Sequence, residues 1–88
     1  MSISAFVLVN AEPARIESLG TEIAGLEHVR EAHSVAGSGV SLIVKLVVSS
    51  HEDVSNAVLG GIAPLTGVIH TQTLIGFRSY STAEQEQF

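Results

Sequence analysis

"VREAHSVAGSGVSLIVKLVV", residues 29 to 48, is the stretch on which the fold turns. Val29 to Val35 reads as one strand and Leu42 to Val48 as the next. The polar run between them carries two glycines, Gly37 and Gly39, and has the length of a hairpin connection. The later strand is apolar on both sides. Leu42, Val44, Leu46 and Val48 point one way, and Ser41, Ile43, Lys45 and Val47 point the other.

Working back from the hairpin, the run "ISAFVLV" over residues 3–9 reads as a first strand, with Ile3, Ala5, Val7 and Val9 opposing Phe6 and Leu8. Asn10 is placed to cap a helix, and Pro13 suits a first helical turn, where a missing N–H costs nothing. Ile16, Leu19, Ile23 and Leu26 then form one helical stripe, and Gly25 weakens its end. Working forward, Ser50 and Asp53 have capping-box spacing, with Asp in place of the usual Glu. Val54, Ala57, Val58 and Ile62 give a second stripe, expected to end at Gly60-Gly61 and Pro64. Val68 to Phe77 reads as the fourth strand, with Ile69, Thr71, Thr73, Ile75 and Phe77 on one face. The polar, aperiodic run from Ser79 to Phe88 reads as a flexible tail, so residues 1–78 form the domain and 79–88 the tail.

The order is β-α-β-β-α-β. This predicts an α+β, ferredoxin-like fold, a four-stranded antiparallel sheet with both helices on one face. The other face is then bare, yet it too carries large apolar groups. Leaving them in water forgoes roughly 1.5–3 kcal/mol per large side chain and exposes a patch that monomers rarely tolerate. A second copy of the chain is therefore expected to cover it, sheet to sheet, as a dimeric α+β barrel.

Composition agrees. At 88 residues the chain makes one small domain, and it is 45% hydrophobic and only 15% charged. A domain this small has a thin core. It has no cysteine, so disulfides are excluded and oligomerisation is the remaining common source of extra burial. The net charge is −5, and the basic residues Arg15, Arg30, Lys45 and Arg78 are scattered. Phosphate binding needs clustered cations, so direct nucleic-acid binding is not expected. No apolar run approaches the roughly 20 residues that span a bilayer. Met1-Ser2-Ile3-Ser4 lacks a basic leader pattern, so a cytoplasmic location without membrane association is the simplest expectation.

Three stretches, "AFVLVNAEP" (residues 5–13), "LEHVREAHSVAGSGVSLIVKLVV" (26–48) and "LTGVIHTQTLIGF" (65–77), together resemble the effector-binding half of the Lrp/AsnC family of bacterial and archaeal regulators. That half is the RAM domain. The resemblance covers about residues 3–78. Its most specific pieces are Gly67-Val68 followed by Thr71-x-Thr73-Leu74-Ile75, and Val35-x-Gly37. The chain starts at the first strand, with no helix-turn-helix before it, and so resembles the stand-alone members. Where the family usually has Gly, two residues and then Asp, this chain runs Gly37-Ser38-Gly39-Val40-Ser41, one residue longer and with Ser41 in the acid's place. The resemblance implies dimers that pair sheet to sheet and assemble into octamers or decamers. It also implies amino-acid effectors bound between dimers, beside the hairpin loop and the fourth strand.

Two readings of Gly37–Ser41 stand side by side. In one, the glycines serve only a turn. In the other, the loop's backbone N–H groups form a nest for a carboxylate. It is no dinucleotide fingerprint, since no third glycine follows and no helix opens there. Thr71 and Thr73 are likewise either β-branched strand filling or hydroxyls that orient a polar ligand. His70 sits beside them. His28, His33, His51 and His70 have no metal-ligand spacing, and no metal or other cofactor is expected. No Ser, His or Asp spacing marks a nucleophile with an oriented base, so no catalytic residue is assigned.

The expected function is thus a non-enzymatic, homo-oligomeric module that binds an amino acid or related metabolite at Gly37, Ser38, Gly39, Val40, Ser41, His70, Thr71 and Thr73. It would modulate transcription indirectly, with full-length Lrp/AsnC-type regulators as candidate partners. The alternatives are a small dimeric α+β-barrel enzyme of monooxygenase or isomerase type, an amino-acid-binding domain of the ACT type, and an oligomerisation module with no ligand.

Overall fold

A computed structural model describes residues 2–81. Four strands, β1 (Ile3–Ala11), β2 (Val29–Gly37), β3 (Val40–Val48) and β4 (Val68–Ile75), form one antiparallel sheet in the order β2-β3-β1-β4. Two helices, α1 (Ile16–Ala24) and α2 (His51–Ala57), make the β-α-β-β-α-β order complete. This is the ferredoxin-like arrangement expected from the hydrophobic patterning. The expected tail from Ser79 lies largely outside the described residues.

The core lies between sheet and helices. Ala5, Val7 and Val9 of β1 and Leu42, Val44 and Leu46 of β3 are buried against Leu19 and Ile23 of α1 and Val54, Val58 and Ile62 of the second helical segment. Alternation along the two central strands is strict, because a one-residue slip would turn every one of these side chains away from the helices. No polar or charged residue is buried among the described residues.

Several boundaries differ from the sequence expectation. β1 continues to Ala11, so Asn10 is a strand residue paired with His70 and caps nothing. The helical segment starts instead with a 3-10 turn at Pro13–Arg15, entered from Glu12, which gives no side-chain cap. Proline suits this start for the expected reason: its N–H would be unpaired there anyway. The Ser50 cap is present, its Oγ accepting from the Asp53 N–H at 3.2 Å. The Asp53 carboxylate accepts from the Ser49 hydroxyl at 3.3 Å, one residue earlier than a full capping box would use. Gly60 and Gly61 do not end the second helix. They lie in a π-helical turn over Val58–Ile62 that prolongs it.

The fourth strand differs in a way that affects the site. β4 stops at Ile75, and a bulge interrupts its pairing with β1, Asn10 lying opposite His70 but Ala11 opposite Val68. Ile69 is the extra residue. It therefore drops out of the Thr71, Thr73 and Ile75 alternation in which the sequence places it, and is 61% exposed. A bulge inserts an unpaired residue of this kind, and no turn residue in the sequence announces it.

Candidate functional site

The β2–β3 hairpin is tighter than expected. Gly37 pairs directly with Val40, leaving Ser38-Gly39 as the turn, and the β2 register slips between Ser34 and Gly37. Within the hairpin only Gly39 has a positive φ, +75°, the conformation that a side chain resists. Gly37 has neither a positive φ nor any atom within 4 Å of where a side chain would start. Its missing side chain therefore serves no contact within the chain.

Ser41 is committed to the neighbouring strand. Its Oγ accepts from the Ala11 N–H at 3.1 Å and donates toward the Ala11 carbonyl at 3.4 Å. The hydroxyl thus ties the end of β1 to β3 beside the hairpin, and one oxygen lone pair remains for anything else.

β4 carries the other expected residues on opposite faces. Thr71 and Thr73 lie opposite Val9 and Val7, on the helix side. They line an open groove of about 450 Å³ with His51, Val54, Ser55, Val58, Leu59 and Ile75. His70 lies opposite Asn10 and faces the bare side of the sheet. The hairpin and β4 are separated by β1, so β3 and β4 stand about 10 Å apart at two strand spacings. One chain therefore brings Gly37–Ser41 together as a unit and Thr71 with Thr73 as another. It does not bring the two units, or His70, into one cleft.

A second open groove, of about 540 Å³, lies at the other edge of the sheet between α1 and β2, where Gly20, Ala24, Ala32 and Ser34 are small. Among the described residues no group of three His, Cys, Asp or Glu side chains is placed to hold a metal ion. The Glu31 carboxyl is held below its usual range, chiefly by the hydrogen bond from the His33 ring. It is an exposed group on the sheet.

The bare face is apolar along its middle. Phe6 and Leu8 of β1, Ile43 and Val47 of β3 and Leu74 of β4 lie there, with Leu74 46% exposed. Glu31, His33, Lys45 and His70 are distributed around them.

A family model for the Lrp/AsnC ligand binding domain matches residues 4–85. The chain belongs to the Lrp/AsnC ligand-binding domain family. The crystal structure of TTHA0845 from Thermus thermophilus is 38% identical, with a TM-score of 0.84, over 91% of this chain and 99% of that one. AsnC of E. coli superposes with a TM-score of 0.81 at 20% identity, over 91% of this chain and 54% of its own. The transcriptional regulator NMB0573 of Neisseria meningitidis, solved as a complex with L-Met, gives 0.79 at 15% identity, over 91% of this chain and 53% of its own. The latter two show the shared fold, and this chain spans about half their length. No curated protein matches the sequence.

Sequence reasoning misses two residues that shape this region. It places Arg15 only among the scattered basic residues, and Gly67 only in a motif. In the structure Gly67 has φ +100° and lies against the Arg15 side chain. The Gly67 carbonyl accepts from the Glu12 N–H at 2.8 Å, which ties the entry to β4 to the end of β1. The signal is present in the glycine before a strand, but its partner lies about 50 residues away and no local pattern points to it.

Proposed function

We propose that this chain is an oligomeric effector-binding module that takes a free amino acid or a related small metabolite and acts on transcription indirectly. Membership in a ligand-binding domain family, over nearly the whole chain, carries this reading. The module has no catalytic activity of its own. It acts through assembly, with itself or with full-length Lrp/AsnC-type regulators.

The dimer forms by apposition of the bare sheet faces, burying Phe6, Leu8, Ile43, Val47 and Leu74. The chain's lack of a basic cluster and its net charge of −5 support action through protein contacts rather than direct contact with DNA. Octamers or decamers of these dimers then place the hairpin of one dimer near a neighbour. Ser38 and Gly39 meet the ligand's carboxylate through backbone N–H groups, with the Gly37–Val40 pair closing the turn and Ser41 holding the loop in place. His70, Thr71 and Thr73 come from neighbouring copies. The unfilled space around Gly37 supports this reading, because the chain's own packing does not require a glycine there. Ligand binding shifts the assembly by the difference between its affinities for the two states.

The test is a thermal-shift series against the twenty amino acids, with light scattering on every hit. Stabilisation by one or a few, about 2.7 kcal/mol per site at a ligand concentration 100 times Kd, together with a change in mass, is the expected result. A chain that no amino acid or related metabolite stabilises, and whose mass never changes, would sink the proposal.

A further inference from the structure

Gly76 makes one more ladder contact beyond β4, its N–H donating to the Ser4 carbonyl at 2.7 Å. A side chain at this position would start 3.1 Å from that carbonyl and 3.6 Å from the Phe6 ring. Glycine thus lets the chain hug the end of β1 before leaving the sheet. From Phe77 to Ser81 there is no regular element. Phe77 is 96% exposed and Tyr80 84% exposed. A cleft of about 300 Å³ separates this segment from the sheet, lined by Ser4, Phe6, Phe77 and Arg78 among others. Phe6 is also part of the bare sheet face, so segment and face form one continuous surface.

We propose that residues 76–81 are a docking arm, and that Phe77 and Tyr80 seat on a second copy of this chain beside the paired sheet faces. The proposal rests on the sheet-pairing reading above and adds a separate set of contacts to it. Two observations favour a second copy as the occupant. The first is continuity: the arm departs from the rim of the face that the partner covers. The second is area. Stable interfaces bury about 800 Å² per partner. Leu8, Ile43 and Val47 are already partly buried within their own chain, so the face alone offers limited new burial. Phe and Tyr supply roughly 150–250 Å² each, and in a twofold pair each copy both gives and receives an arm.

The experiment compares the full chain with the double variant F77A/Y80A by sedimentation and light scattering over a dilution series. Circular dichroism checks that each keeps its fold. Both side chains are exposed within their own chain, so the fold should survive their removal. The expected result is a dimeric parent and a variant whose dimer Kd is raised roughly 100-fold or more, the scale of losing two buried aromatic anchors. A dimeric parent with an unchanged Kd in the variant overturns the arm and leaves sheet pairing standing. A variant that melts lower but keeps its Kd also overturns it, since the arm would then pack on its own chain. A parent that is monomeric at every concentration removes the sheet-pairing reading and the arm with it.

Discussion

The Nε of Arg15 donates to the carbonyl of Thr66 at 3.0 Å, joining residues 51 apart in sequence. The same guanidinium donates to Ser18 Oγ at 2.7 Å and pairs with Glu22 at 2.9 Å. Arg15 thereby fastens the loop before β4 to the start of α1. Gly67 fits under it: a side chain there would lie 2.8 Å from the Arg15 Cβ and Cγ, at a φ that disfavours any side chain. Replacing Arg15 by Ala is expected to cost about 1–2 kcal/mol, most of it from the Thr66 bond, because the Glu22 pair is partly exposed. Gly67→Ala should cost about 1–3 kcal/mol through backbone strain and crowding. The two should not add. Arg15→Ala removes the contacts from Cγ outward and keeps the one at Cβ, so Gly67→Ala should cost less beside it than in the parent. Chemical denaturation of the two single variants and the double variant measures the coupling. Strict additivity would show that the Arg15 side chain beyond Cβ does not crowd Gly67.

Ser41 gives a second prediction. Its hydroxyl both accepts from and donates to Ala11. Ala should cost about 1 kcal/mol by leaving a backbone N–H without its partner. Asp keeps the acceptor but sets a carboxylate toward the Ala11 carbonyl, so Ser41→Asp should be at least as destabilising as Ala. A Ser41→Asp variant more stable than the parent, measured by urea unfolding, would contradict this placement of the hydroxyl.

The central strands are legible in the sequence because alternation is a local signal. Leu42, Val44, Leu46 and Val48 of β3, and Ala5, Val7 and Val9 of β1, are buried as their period requires. Helix stripes are legible for the same reason, and Leu19, Ile23, Val54 and Ile62 are buried. What the sequence could not show depends on distant partners. The bulge at Ile69 comes from the pairing of β4 with β1, not from a turn residue. The Ser41 hydroxyl turns to a backbone group 30 residues away. Glycines mislead in both directions: Gly60-Gly61 continue a helix, and Gly37 serves no turn φ. The candidate site is legible as a set of residues but not as a shape, since β1 separates the hairpin from β4 within one chain.

Gly60 offers a stabilising change. It lies in the π-helical turn with an ordinary φ and nothing within 4 Å of its missing side chain. Gly60→Ala removes freedom from the unfolded chain without adding a clash, and should gain about 0.4–1 kcal/mol. For a domain of this size, that raises Tm by a few degrees, at about 4–8 °C per kcal/mol. Calorimetry reads it directly, and a lowered Tm would mean that the π-helical turn needs glycine for a reason the packing does not show.

The bare face can be tested separately from the arm. Leu8 stands opposite Ile43 and Gln72 in the middle of that face. Leu8→Glu places a charge where a partner copy would exclude water, and an unpaired buried charge is far more costly than an exposed one. In the isolated chain the same carboxylate faces solvent. The expected outcome is a folded monomer by circular dichroism and light scattering. An unchanged oligomer would mean that copies meet elsewhere.

Acid titration tests the polar edge of the same face. Nε2 of His33 lies 2.6 Å from Oε2 of Glu31, and Lys45 is the strand neighbour of Glu31. The His33 hydrogen bond is the chief cause that lowers the Glu31 pKa from the ordinary 4.5. Desolvation opposes it, and the charges of His33, Lys45 and Arg30 add to it. The sign follows from the folded pKa being the lower one. The contribution to stability is fully present above about 4.5 and is lost as pH falls through the lowered folded value. The side-chain carboxyl of Glu31, followed by NMR, should titrate with a midpoint below 4.5 in the parent and closer to it in His33→Ala. Glu31→Gln should flatten the acid limb of the stability curve relative to the parent. If Glu31 titrates at its ordinary value in both proteins, the His33 contact does not persist in solution.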